Sequence, residues 1–349
     1  MAKLIFLEGV SGVGKSTMAR SLCEDLQSKG LYAKAYIEFD YTNPIDFYCV
    51  AYYSSEEYEM LCAENPENKI AISSNTINAG TARLIHYFNE DTPLFEEPLL
   101  SEFMEREFCY NPRHPVLFED YSEAYVAVWK NFAENIADDE IIIFDGSLLH
   151  HPLNDMIRNY DASKESAYSH IQKLLTSLGK IDYAVYYLQT EDIAKQLTTA
   201  HLNRGQQPPS ETEISFWQKR FDYDMFMLKT IPHRTFVIDN QWVFVKLEIL
   251  ETICMNLAEQ EVDKKEIQIR RIKKYEGYLD EVQQLLRDGE SSGRLQHLIT
   301  ELEAYYASEE WKQDFAADEA GLLPKNLKRG VISEDGIYNL LQEYKEVSE

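Results

Sequence analysis

The chain has 349 residues, 44% hydrophobic and 27% charged, which is long enough for a main domain plus a smaller one and too apolar for disorder. Its 60 acidic against 34 basic side chains give a formal charge of −26, a field that repels polyanions and argues against nucleic-acid polymers and anionic membranes as partners. Five widely spaced cysteines, with no Cys-x-x-Cys pair, suit a reducing cytoplasmic setting and argue against a disulfide frame or a zinc cluster.

Residues 4–7 form a short apolar run leading straight into a glycine-rich turn, so the spacing predicts a strand rather than a signal peptide, and no segment approaches the length of a membrane span. Met18, Ala19, Leu22 and Leu26 then recur at helical spacing until Gly30, and residues 33–39 alternate like a second strand, completing a βαβ unit. Residues 54–137 carry helical patterns, opened by a Ser54-x-x-Glu57 capping box and punctuated by prolines, and predict a long helical insertion. Residues 141–144, 183–188 and 235–238 are apolar, β-branched runs separated by helical patterns. Five strands alternating with helices predict an open parallel sheet. From about residue 259 the pattern turns to charged helix, so the expected division is 1–258 for an α/β domain and 259–349 for a small all-α domain.

The turn reads Gly9-Val10-Ser11-Gly12-Val13-Gly14-Lys15-Ser16-Thr17 and fits the phosphate-loop pattern G-x-x-x-x-G-K-[ST] in its required place, after a strand and opening a helix. Glycines let successive backbone N–H groups face the phosphates, and the helix N-terminus adds its partial positive charge. Lys15 reaches the β- and γ-phosphates and Ser16 offers a hydroxyl to Mg²⁺, so ATP and Mg²⁺ are the expected cofactors. Asp145, at the exit of a buried strand, needs a partner there, and a metal ion is the natural one. The base-reading tetrad of small GTPases is absent, and no acid adjoins Asp145 to activate water as in ATPases of the transporter kind.

The opening from Leu7-Glu8-Gly9 through Lys15-Ser16-Thr17 resembles thymidylate kinases and deoxynucleoside kinases. That resemblance implies a P-loop NTPase fold of nucleoside/nucleotide-kinase type. It also implies that Glu38 accepts the proton of the acceptor hydroxyl, and that Asp145 and Ser147 stand for the family's acid-Arg-Ser motif, although Gly146 replaces its arginine. It implies an arginine-bearing lid over 204–220, with Arg204 or Arg220 neutralising the transferred phosphoryl group, and an adenine-side loop opened by Asp239.

On the acceptor side, Tyr41 and Phe47 are candidates to hold a base or sugar, and Arg83 and Arg113 an existing phosphate. His150 and His151 are adjacent, with no acidic or cysteine ligand at metal spacing, and are expected to be structural or capping residues. The C-terminal stretch containing Trp311, Phe315 and Tyr338 resembles an uncharacterised small helical domain of bacterial proteins. An apolar stripe from Ile269 to Leu286 there is expected to pair with Leu295, Leu298 and Leu302. The sequence therefore predicts an ATP-dependent kinase with a small acceptor, a nucleoside, a nucleotide or a similar molecule, and a homodimer is compatible with it. The alternatives are an antibiotic or other small-molecule kinase and a non-catalytic nucleotide-gated interaction protein.

Overall fold

The computed structural model describes residues 3–111, 116–137, 140–238, 242–288, 293–333 and 335–348. In chain order the first part runs β1 (Lys3–Glu8), α1 (Lys15–Ser28), β2 (Ala33–Tyr36), β3 (Val50–Ser54), α2 (Ser55–Glu64), α3 (Lys69–Ser74), β4 (Thr76–Ala79), β5 (Ala82–His86), β6 (Phe88–Asn89), β7 (Thr92–Pro93), α4 (Leu99–Glu105) and α5 (Phe118–Asn135). It continues with β8 (Ile141–Asp145), α6 (His150–Asn159), α7 (Lys164–Ser177), β9 (Asp182–Gln189), α8 (Ile193–Asn203), α9 (Glu211–Met227) and β10 (Arg234–Val237). Then come α10 (Trp242–Arg287), α11 (Gly293–Tyr306), α12 (Glu309–Glu319) and α13 (Gly336–Ser348). The chain divides into two compact units, Met1–Leu250 and Glu251–Glu349, with the division inside α10.

The first unit is built on a five-stranded sheet of order β10-β9-β1-β8-β2 in which every pairing is parallel. Parallel strands joined by helices are covered on both faces, which is why β1 and β8 are buried along their whole length. Phe6 and Phe144 stack on each other across the sheet, and Trp129 of α5 stacks on Phe6. The register places Leu7 beside Asp145, so the turn after β1 and the end of β8 emerge together at the carboxyl edge of the sheet.

The expected second strand stops short, at Tyr36, because Phe39 takes a positive φ of 67° and the chain turns away. The insertion departs further from expectation. The Ser54–Glu57 capping box is formed and starts α2, but residues 54–137 are not all helix. Strands β3, β5 and β4 form an antiparallel sheet, and β6 pairs with β7. These strands are only two to five residues long. Strands β3 and β5 pack on a separate core of Ala51, Tyr53, Leu61, Ile72, Ile85 and Phe103, while Ala79 of β4 joins the main core, contacts that local periodicity does not reveal.

The second unit has its own core, in which Ile272, Leu279 and Val282 of α10 meet Leu295, Leu298 and Leu302 of α11. Ile269, Leu286 and Trp311 pack at its margin, whereas Tyr338 is left exposed. Buried Asp314 accepts hydrogen bonds from Arg271, Gln268 and the Tyr305 hydroxyl, which satisfies its charge away from water.

Candidate functional site

The turn between β1 and α1 is shaped by glycines at positive φ, with Gly9 at +143°, Gly12 at +80° and Gly14 at +90°. At Gly9 a Cβ would stand 2.3 Å from the Leu188 carbonyl oxygen of β9, so no other residue fits without moving the sheet. No side chain caps the N-terminus of α1, whose first N–H groups are thus the natural anion-facing donors of the turn. Lys15 is buried beneath the turn, and its ammonium donates to the carbonyls of Gly9 at 3.1 Å and Val10 at 3.2 Å. Burial lowers its pKa, and Asp145, Glu38 and Glu8 act in the opposite sense.

Asp145 is buried at the end of β8 and accepts, through Oδ2, the backbone N–H of Glu38 at 3.4 Å. Gly146 follows in the left-handed region at +76° and donates its N–H to the Leu7 carbonyl. A Cβ on Gly146 would lie 2.8 Å from the Cβ of His150, so the position where the resembling families carry arginine is closed here by the His150 side chain. Glu8, wholly buried, accepts the N–H groups of Leu148 and His150 at 2.9 Å each and fixes the Gly146–His150 turn to β1. Burial outweighs those bonds and pushes its pKa up to about 7.

The two histidines, expected to be structural or capping residues, find their partners in distant parts of the chain. His150 approaches the Gly9 carbonyl through Nδ1 at 3.0 Å, with the Lys15 ammonium 3.2 Å from the same nitrogen. Burial and that ammonium hold its pKa well below the ordinary value. His151 forms an ion pair with Asp46, and its Nε2 lies 4.0 Å from Oε1 of the half-exposed Glu38. Burial opposes charge on His151, yet Asp46, Glu38 and Asp145 together raise its pKa to about 9.

Two cavities flank the turn. One, of about 530 Å³, is bordered by Gly12, Gly14, Asp192, Lys195, Gln196 and Ile238. The other, of about 320 Å³, is bordered by Ser11, Glu38, Tyr48, His151, Asn154 and Trp217. Helix α8 closes on the turn at the first cavity, where the Gln196 amide donates to the Gly12 carbonyl at 2.7 Å. In the second, Trp217 stacks on His150 at 5.2 Å, and the Arg158 guanidinium lies over Phe216 at 4.0 Å. Asn154 is buried with its Oδ1 unpartnered among the described residues.

The structure thus brings Gly9 to Thr17, Lys15, Glu38, Asp145 and Phe47 to one region and leaves other candidates apart. Phe47 borders the second cavity but is a core residue, edge-on to Tyr125 at 4.9 Å. Tyr41 packs on Tyr48 in a neighbouring surface cleft. Arg83 spends its guanidinium on the Gly80 and Ala82 carbonyls of its own turn. The second half of the expected lid over 204–220 is the regular helix α9. Arg220 there is fully buried, paired with Asp224 and donating to the Leu149 carbonyl at 2.7 Å, so it is a fixed clamp on the turn before His150 and not a mobile finger. Arg204, by contrast, stands exposed at the end of α8. Arg113 and Asp239 lie outside the described residues. Sequence reading missed Asp46, Asn154, Arg158, Lys195 and Trp217, which no local motif marks.

Residues 270–349 match the family model DUF4298, a domain of unknown function. No curated protein matches the chain. Among solved structures, the chain is similar to the herpesvirus thymidine kinase EHV4-TK in its complex with TP5A, at 12% identity and a TM-score of 0.26. The likeness covers 63% of this chain and spans 57% of that one, and it is too slight to carry an argument about fold or activity. The arrangement that stands on its own is an α/β unit with a glycine turn, a buried lysine and two carboxylates gathered at the carboxyl edge of a five-stranded parallel sheet.

Proposed function

We propose that the first unit is a phosphotransferase of the P-loop type, which binds ATP with Mg²⁺ at residues 9–17 and passes the γ-phosphoryl group to a small acceptor, a nucleoside or nucleotide before other metabolites. The observation that carries this reading is the position of the glycine turn between two cavities, with Gly12 and Gly14 facing one and Ser11 the other. A group held on the turn is within reach of both. The cavity beside α8 takes the nucleotide, where Lys195 supplies positive charge and Ile238 stands at the rim. The smaller cavity takes the acceptor among Tyr48, Trp217 and Asn154.

Each group then has a defined task. The backbone N–H groups of the turn and the Lys15 ammonium, once released from the Gly9 and Val10 carbonyls, hold the phosphates. Ser16, in the first turn of α1, and Asp145, at the end of β8, are hard oxygen donors on the two elements that follow one another at this edge of the sheet, a set that fits Mg²⁺. The ion supplies neutralisation of phosphate charge when bound. Glu38 accepts the proton of the acceptor hydroxyl, since it borders the acceptor cavity beside Asp145 and the cavity's other carboxylate, Asp46, is paired with His151. Arg220 acts at one remove, by fixing the Leu149 carbonyl and so the seat of His150.

The test is incubation of the full chain with ATP, Mg²⁺ and a panel of nucleosides, nucleotides and other hydroxyl-bearing metabolites, read by mass spectrometry. A product heavier by one phosphoryl group that Lys15→Ala abolishes supports the reading. Nucleotide binding without any phosphorylated product across the panel overturns the catalytic half of it and favours a nucleotide-gated interaction protein.

A further inference from the structure

Glu38, His150 and His151 each offer one ligand-capable atom, and these atoms lie within 4.8 Å of one another. All three border the smaller cavity. The 4.0 Å between His151 Nε2 and Glu38 Oε1 is too long for a hydrogen bond. An ion bonded at about 2.0–2.2 Å to each atom in tetrahedral geometry needs them about 3.4 Å apart, so the half-exposed Glu38 side chain closes on His151 by about half an ångström when the ion binds. On both rings Nδ1 is already held. His151 Nδ1 faces the Asp46 carboxylate, and His150 Nδ1 faces the Gly9 carbonyl at 3.0 Å. We assign the ring hydrogen to Nδ1 in both, because Lys15 has the carbonyls of Gly9 and Val10 for its own donors. Both Nε2 lone pairs are then left for a ligand, the pattern by which carboxylates and backbone carbonyls orient metal-binding histidines.

We propose that Glu38, His150 and His151 form a binding site for a borderline transition-metal dication of the zinc class, with an open coordination position toward the cavity. Two imidazoles and one carboxylate are a donor set that prefers zinc, cobalt or iron(II) to magnesium. The all-oxygen pair Ser16 and Asp145 has the opposite preference, so the two sites are chemically distinct. Since the same Glu38 serves as the base in the phosphotransfer reading, an ion here competes with the acceptor for that carboxylate. The metal site itself does not depend on that reading.

The experiment is titration of the chelator-treated full chain with Co²⁺ in the absence of nucleotide, so that its failure is separate from any failure of phosphotransfer. One equivalent should bind with visible d–d bands of low-coordinate cobalt, Zn²⁺ should displace it, and excess Mg²⁺ should not. Glu38→Gln, at a half-exposed position, should weaken binding at least tenfold. Asp46→Asn, which loosens His151, should cost roughly 10–100-fold. His151→Gln should abolish the bands, and if that variant fails to fold, Glu38→Gln decides. Absence of the bands in the wild type, or equal cobalt affinity in wild type, Glu38→Gln and Asp46→Asn, overturns the proposal.

Discussion

Gly146→Ala isolates the geometry that seats the histidine turn against β1. An L-residue at φ +76° costs about 1–2 kcal/mol in backbone conformation. The added Cβ also meets the Cβ of His150 at 2.8 Å, an atom anchored at the first residue of α6 that cannot rotate aside. Overpacking of this kind adds about 1–3 kcal/mol. Gly30 provides the control, because its φ is +79° but, among the described residues, nothing lies within 4 Å of its would-be Cβ. Gly30→Ala should therefore cost ~1.5 kcal/mol and Gly146→Ala ~3 kcal/mol, from the same two terms. At about 2–4 °C per kcal/mol for a unit of this size, the two variants should differ in melting temperature by about 3–6 °C, read by differential scanning calorimetry. Equal losses in the two variants would refute the close packing of His150 under residue 146.

Three further outcomes follow from the site and the core. Glu38→Gln should leave ATP affinity near normal and reduce phosphoryl transfer by about 10²–10⁴, measured as product formed per enzyme in a single turnover. Asp145→Asn should raise the Mg²⁺ concentration needed for half-maximal activity, since a carboxylate becomes a neutral amide; an unchanged Mg²⁺ dependence removes Asp145 from the metal site. His170 is buried beside Ser122 with its pKa lowered to about 3 by burial and the nearby Lys173, so only the unfolded chain takes up its proton in mild acid. Its contribution to stability is then fully present above about pH 6.5 and declines as pH falls toward about 3, with a slope of at most about 1.4 kcal/mol per pH unit. In His170→Gln that part of the pH dependence of urea unfolding should disappear.

The sequence made the turn at residues 9–17 legible because its meaning is local. A strand, three glycines, a lysine and a helix follow one another without help from elsewhere. Asp145 was legible for a related reason, as an acid closing a continuous apolar run. The insertion was misread because strands such as β3 and β5 have no clean alternation and exist by virtue of the core they share with α2 and α4. The Asp46–His151 pair joins residues more than a hundred positions apart, and neither is conspicuous alone. Arg220 was placed in a lid by the family resemblance, yet Ser210 caps a regular helix in which that arginine is fully buried. Tertiary partners, not local pattern, decide these three cases.

The account rests on phosphate binding at the turn, and calorimetric titration of the full chain with ATP tests it most directly. The predicted result is one ATP bound per chain, more tightly with Mg²⁺ than without, and heat of binding lost in Lys15→Ala while the variant's circular dichroism and cooperative melting persist. Lys15→Ala binding ATP·Mg²⁺ as the wild type does, or a wild type that binds no nucleoside triphosphate at all, would contradict it.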